Sequence, residues 1–457
     1  MNLTERLFGT DVRAKYRRFF SVMVPIFITQ TAIIGMNFCD TVMSGHAGTA
    51  QLAGTSIGGN IWMPVFTTLN GILTAAVPIT AQLLGAGRRG GIGRVIRHGL
   101  WLALALAALC YAAGWLFLTP VVHHLGVEAE VARVAVLYLA GIGIGLVPFF
   151  LNNVLRSLID TLGGTHLTMM AFLTTLPVNV CLNYVLIYGK GGLPALGGVG
   201  AGIATGLTNW FVFAFFCLIL RKDGRYRDIR ILEGPLLPDP GLLAEFLRIG
   251  VPIGLSIFVE TSIFGAIAFL VAKFGTETIA ASQAAMSFTS LVYMIPLSVS
   301  LSMTILVGIE AGARRWSGAE HYGNVGLSFN GTCALLIPSL IYLGRDGIAA
   351  LYLDDPEARA LCATFMAYGS LFVMGDAVAA PIQGILRGYK EVRFPFYSAV
   401  VAYWVIGAPV GLFLDYGLGH GAGSYWQSLD FGLAASAVLL LGRLFAVRRR
   451  CRTVPSR

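Results

Sequence analysis

Three carboxylates, Asp40, Glu260 and Asp376, stand well inside stretches that are otherwise apolar. A charge at the centre of a bilayer costs on the order of 3 kcal/mol on insertion scales, so such groups are rarely carried without a use. Most of the other Asp and Glu, of 23 in the chain, fall in loops or tails. A carboxylate in low dielectric can take up a cation or a proton and release it again, which is the chemistry of an ion-coupled membrane carrier.

Candidate partners surround two of the acids. Asn179 and Asn183 are four residues apart, which puts both amides on one helical face. Thr205 follows in the segment LGGVGAGIATG, whose glycines permit close backbone approach. Together with Asp40 they offer oxygens to a hard monovalent cation, or hold a protonatable acid; bonding between helices is the other use open to the two Asn. Glu260 and Asp376, from different helices, can share one cation, or one of them can hold a proton. No Lys or Arg stands near the middle of any apolar stretch, so a buried ion pair is not expected at these acids. Gln283 and Asn60 are isolated polar residues on apolar stretches, suited to contacting cargo or to bonding another helix. Asp354-Asp355 is positioned in a loop to meet an organic cation or simply to be solvated. Asp430 lies nearer the end of the last apolar stretch.

The elements that must hold these residues are helices. With 56% hydrophobic and 12% charged residues in 457, the chain has too little polar surface for a water-soluble globule. Twelve apolar stretches of roughly 20 residues, enough to cross about 30 Å of hydrocarbon, are centred near Ile28, Met63, Leu106, Gly143, Leu176, Phe211, Glu260, Tyr293, Leu335, Phe372, Val401 and Val438. Backbone groups in lipid must be satisfied internally, and the alternation of a membrane barrel is absent, so the spans are helical. The third and fourth are the least clearly separated.

With the N-terminus in the cytoplasm, 27 of the 32 Lys and Arg lie inside, leaving Arg133, Lys190, Lys273, Arg345 and Arg359 outside. This fits the positive-inside rule and puts both termini in the cytoplasm. The net charge of +9 therefore reports topology, and nucleic-acid binding is not expected. No cleavable signal peptide is evident, and the seven cysteines form no CxxC pair. An enzyme is not expected either: the seven His sit at loops and span ends, and HExxH, GxSxG and P-loop patterns are missing.

The chain also repeats itself. Val24-Pro25-Ile26 returns as Val251-Pro252-Ile253 and Gly48-Thr49 as Gly275-Thr276, both at an offset of 227. ITAQLLGAGRR from Ile79 has its counterpart in ILVGIEAGARR from Ile305, at 226. The fold class expected is an all-α polytopic membrane protein, twelve transmembrane helices in two six-helix bundles related by a pseudo-two-fold axis along the membrane normal. Expected boundaries are 1–220 for the first bundle, 221–247 for a cytoplasmic linker with Pro235, Pro238 and Pro240, and 248–457 for the second bundle with a short basic tail. A polar path between the bundles is the default substrate site, with alternating access. The acids disobey the repeat: Ile267, Ile33 and Phe149 stand at the positions matching Asp40, Glu260 and Asp376.

VPIFITQTAIIGMNFCDTVMSGHAG, PITAQLLGAGRR, PVNVCLNYVLIYGKGGLPALGGVGAGIAT, VPIGLSIFVETSIFG and MGDAVAAPIQGILRGYKEVRFP together make the chain resemble the multidrug and toxic compound extrusion (MATE) family, in its NorM-like bacterial branch. The resemblance runs from about Phe19 to Arg443. It implies a secondary active efflux transporter that exports organic cations and other amphipathic drugs by antiport with sodium or protons. It implies an N-lobe cation pocket at Asp40, Asn179, Asn183 and Thr205, and C-lobe coupling acids at Glu260 and Asp376. Sodium, if it is the coupling ion, would sit at Glu260, Asp376 or Asp40. Gln283 and Asp355 match positions of drug contact in some members. Phe372 departs from the pattern, standing where some members have a Tyr near the ion, and Asp430 is an uncommon acid for the family. A lipid-linked oligosaccharide flippase of the same wider superfamily is the alternative, though such proteins line their path with Arg rather than acids. No cofactor is expected, the coupling ion being cargo. The partners expected are cationic drugs and membrane lipids, in the bacterial cytoplasmic (inner) membrane, with one chain sufficient for function.

Overall fold

The computed structural model describes residues 7–9, 11–231, 233 and 239–453, so Arg6, Pro235, Pro238 and Arg457 lie outside the described residues. Among the described residues, eleven helices are long and apolar enough to cross a membrane, and one bent pair, taken as one span, makes a twelfth. In chain order they are α1 (Val12–Ala47), α2 (Thr49–Gly85), α3 (Arg89–His124), α4 (Ala129–Ile144 with Leu146–Thr161), α5 (Thr165–Tyr188) and α6 (Gly198–Lys222). There follow α7 (Pro240–Ala272), α8 (Thr276–Gly312), α9 (Trp316–Tyr352), α10 (Pro356–Gly388), α11 (Arg393–Gly417) and α12 (Gly423–Arg452). Each expected centre falls in a different helix, and no strand occurs among the described residues. The stretches that were hardest to separate part at Gly126, which takes a left-handed φ of 65° between α3 and α4.

Two compact units emerge, one of Ile28–Gly254 and one of Met1–Phe27 with Leu255–Arg457. The division thus falls inside α1 and α7, at corresponding points of the repeat, rather than at the linker expected over 221–247. Packing explains it. The start of α1 joins the unit of the C-terminal half: Phe19 and Met23 are buried in the same core as Ile263, Ile267 and Leu306. Phe19 meets Phe329 with ring centroids 5.6 Å apart, and Tyr16 Oη lies 2.6 Å from Ser328 Oγ. The start of α7 joins the other unit, where a Cβ on Gly250 would come within 2.3 Å of the Ile72 carbonyl oxygen. Within the expected linker, 221–222 end α6, Gly224–Ile229 form a short 3-10 turn, and the residues from Pro240 onward already belong to α7. Asp223 caps the 3-10 turn by accepting from the Arg225 backbone N–H at 3.0 Å, and hydrogen bonding from the Arg225 guanidinium holds the Asp223 carboxyl below its usual range.

Close helix approach sets the level of the side chains that matter below. In the Ile28–Gly254 unit, a Cβ on Gly202 would lie 2.2 Å from the Tyr138 carbonyl oxygen, and one on Gly206 would lie 2.6 Å from that of Gly141. α4 bends by 49° at Gly145, where its backbone meets Gly206. In the other unit, Gly384 of α10 lies against the Ser300 carbonyl of α8. α11 departs from α-helical winding over Val400–Gly407 and Phe413–Gly417, both π-helical. Such turns re-aim side chains and recur at functional positions.

Gly202→Val is expected to cost about 1–3 kcal/mol, the usual range for overpacking, and to lower the unfolding midpoint of the purified protein. Gly442→Ala, where an added Cβ meets nothing within 4 Å in the interior of α12, should hold the midpoint or raise it slightly. Equal midpoints for the two variants would contradict the packing described.

Candidate functional site

Asp40 lies on the later part of α1, and its bonded partners arrive from α5 and α6. Asn183 Nδ2 donates to Asp40 Oδ1 at 2.5 Å and to Asn179 Oδ1 at 3.1 Å, while Thr205 Oγ1 donates to Asp40 Oδ2 at 2.9 Å. The four residues expected to meet therefore do meet. The i, i+4 spacing aligns the two amides on α5. Gly200, whose Cβ would meet the Leu186 backbone, seats α6 directly against α5 and brings Thr205 to the same level. Asn179 and Asn183 are buried, and Asn183 Oδ1 has no hydrogen-bond partner. The Asp40 carboxylate, the Thr205 hydroxyl and the Asn179 amide oxygen are the kinds of oxygen a hard cation takes, with the Asn183 amide nitrogen bonded between Asp40 and Asn179. These partners are all neutral, so they orient the carboxylate without cancelling its charge.

The second cluster is assembled differently. Glu260 of α7 accepts from Gln383 Nε2 at 2.8 Å, with Ser256 Oγ at 3.5 Å. Gln383 Oε1 in turn accepts from the Arg387 guanidinium at 3.3 Å. Gln383 and Arg387 are only 9% and 8% exposed. Among the described residues no ion pair is made to Asp40, Glu260 or Asp376, and Arg387 reaches Glu260 only through the Gln383 amide. Arg387 stands next to the last residue of α10, yet helical side chains lean toward the N-terminus, and here the long stem turns back onto Gln383. Asp376, also on α10, is near enough to Glu260 for the two to interact electrostatically. Tyr293 from α8 and Tyr403 from the first π turn of α11 likewise stand within electrostatic range of both acids. Two tyrosines thus approach the acids from helices other than α10. Phe372 itself packs edge-on against Phe264, with centroids 5.7 Å apart, as part of the apolar core.

The first lobe has a related but distinct arrangement on α4. Arg156 contacts Asp160 at 3.4 Å and donates to Gln30 Oε1 at 2.9 Å. At the repeat offset of 227, Arg156 corresponds to Gln383 and Asp160 to Arg387. The basic side chain has therefore moved by one turn between the halves, and only in the second does it reach the acid of the seventh helix.

Three further candidates take no part in the hydrogen bonds described for either cluster. Gln283 on α8 and Asn60 on α2 are exposed. Asp355 is the N-cap of α10 and accepts from the Ala358 backbone N–H at 2.8 Å. The run Asp355-Pro356-Glu357 is a helix-start signature, which accounts for its acidity locally. Asp430 on α12 has one buried carboxylate oxygen without a hydrogen-bond partner. Among the described residues, no three His, Cys, Asp or Glu gather as ligands of a metal ion would.

The MatE family model matches residues 25–185 and 252–413, once in each half of the repeat. A probable multidrug resistance protein NorM from Bacillus anthracis is 43% identical over 443 residues, covering 97% of this chain and 98% of that protein. Another from Geobacillus kaustophilus (strain HTA426) is 44% identical over 436 residues, covering 95% and 96%. The fold is shared with a eukaryotic MATE transporter at a TM-score of 0.83 and 20% identity, covering 96% of this chain and 98% of that one. The chain belongs to the MATE family of multi-pass membrane transporters.

The Gln383 amide joins a buried guanidinium to a buried carboxylate, so Gln383→Leu would take that acceptor from Arg387 and leave Glu260 with only the long contact to Ser256. An unsatisfied buried charged group costs upward of about 1–3 kcal/mol, and transport should fall at least about tenfold with the protein still reaching the membrane. Wild-type transport by Gln383→Leu would show the relay to be dispensable.

Proposed function

We propose that this protein is a secondary active multidrug efflux transporter that exports organic cations by exchange for sodium or protons. The observation that carries the proposal is the charge count of the second cluster. Glu260 and Asp376 interact electrostatically, and one guanidinium, Arg387, reaches Glu260 through Gln383, so with both acids ionised the group carries one formal negative charge in a buried setting. Low dielectric makes an uncompensated charge costly, so one monovalent cation, one proton or one cationic drug completes the site. The occupants compete for the same charge, which is the simplest physical basis for antiport. Asp40, held by neutral donors, offers a second such charge in the other unit.

The same oxygen donors suit sodium, and the same carboxylates suit a proton. The names of the NorM relatives support drugs as cargo, and the acidic sites favour cationic ones. On this reading a single chain works in the bacterial cytoplasmic membrane, with both termini inside and without a cofactor. The basic loops after even-numbered helices support that topology.

Ethidium efflux from proteoliposomes, with sodium and pH gradients imposed separately, tests the proposal. Efflux under at least one gradient is expected, together with loss of at least about tenfold in each of Asp40→Asn, Glu260→Gln and Asp376→Asn at unchanged membrane yield. Full efflux by all three variants would remove the acids from the mechanism. No efflux by the wild type under either gradient would remove the function itself and make lipid-linked sugar the next cargo to test.

A further inference from the structure

Lys273, one residue beyond the end of α7, places its ammonium inside a cage. The Tyr416 ring centroid lies 4.1 Å from Nζ, that of Phe274 4.9 Å and that of Tyr425 5.6 Å. Asp415 closes the cage: its carboxylate is ion-paired with Nζ and accepts from Tyr425 Oη at 2.5 Å. Aromatic faces and one anion around a cation form the arrangement that recognises alkylated ammonium groups. Asp415 and Tyr416 belong to the second π turn of α11, and Tyr425 opens α12, so the cage is framed by three helix ends of one unit.

The cage and its present occupant are held unequally. The Asp415 side chain is 8% exposed and that of Lys273 37% exposed. Lys273 can swing into solvent on its four-carbon stem without moving the backbone. With the lysine away, Asp415 keeps the Tyr425 hydroxyl and presents an uncompensated carboxylate beside the aromatic faces, where an organic cation can take the place of the ammonium. Tyr416 is 74% exposed and forms the outer wall, leaving a way in from outside the protein.

We propose that the cage of Asp415, Tyr416, Tyr425 and Phe274 is a second organic-ammonium site, and that Lys273 is its built-in competitor. The ligand class is a small quaternary or alkylated ammonium group, whether of a free cation or of a lipid headgroup. This goes beyond the two acid clusters and does not depend on the coupling ion. On the topology proposed above, which alone fixes the side, the cage lies externally, where an exported cation is released.

The test is equilibrium binding of radiolabelled tetramethylammonium to the purified full chain in detergent. Lys273→Ala should bind at least about tenfold more tightly than wild type, because the tethered rival is gone. Adding Asp415→Asn should abolish the gain, and adding Tyr416→Leu should reduce it. Lys273→Met, which keeps most of the stem, provides a second variant should Lys273→Ala not elute as a single species. The proposal is overturned if both lysine variants, correctly folded, bind no better than wild type, or if the gain survives Asp415→Asn. Repeating the measurement in lipid discs separates the two sources. A gain in phosphatidylglycerol that phosphatidylethanolamine suppresses assigns the cage to the lipid amine, while an equal gain in both assigns it to the free cation. Since no gradient or transport is measured, failure here leaves the efflux proposal standing, and failure of efflux leaves this one standing.

Discussion

A carboxylate carried into a low-dielectric span must be met by a proton, a cation or well-placed donors, and the energy of leaving it unmet exceeds that of most single contacts in a folded chain. Both units of this protein are arranged around that requirement. The first answers with neutral donors: two amides and a hydroxyl on Asp40, with one amide oxygen left over. The second answers with a basic side chain at one remove, Arg387 acting through Gln383 on Glu260. A direct ion pair would leave less for an external cation to do. The interposed amide keeps the guanidinium near while leaving the pair of acids one charge short.

Donors can serve a buried acid only if the helices bearing them approach within a few ångströms. Glycine makes that approach possible at Gly200, Gly202 and Gly206 in one unit and at Gly384 in the other. The exchange of the first turns of α1 and α7 has a related consequence. In each case the packed N-terminal end belongs to one unit and the acid-bearing remainder, with Asp40 or Glu260, to the other. The backbone of a single helix therefore joins each acid to both units.

Much of this was legible in the residues. Length and apolarity alone placed twelve spans, because lipid allows few solutions for an uncharged stretch. Asn179, Asn183 and Thr205 could be grouped with Asp40 from helical spacing and a glycine-rich neighbour. Arg387 was not legible: its number puts it at the end of α10, and only the backward lean of its side chain brings it to Gln383. Tyr293 and Tyr403 were hidden among 16 tyrosines, since nothing local distinguishes a tyrosine that faces an acid from one that packs a helix. The Lys273 cage draws on α7, α11 and α12 together, and a π turn that shifts its register leaves no simple spacing to read. The division of α1 and α7 was missed for a similar reason, because a composition shift marks a linker and not the point where a helix changes neighbours.

The halves share a scaffold but not their charges, and Arg156 and Arg387, one turn apart in the repeat, show how a small shift separates a local ion pair from a relay to an acid. The central claim is that cargo and coupling cation occupy the same negative charge in turn. The most direct measurement is ethidium binding to the purified protein in weakly buffered solution, with proton release followed by a pH dye and repeated across sodium concentrations. The account predicts that binding releases protons or weakens as sodium rises, and that Glu260→Gln or Asp376→Asn reduces that linkage. Binding that releases no protons and ignores sodium would contradict it.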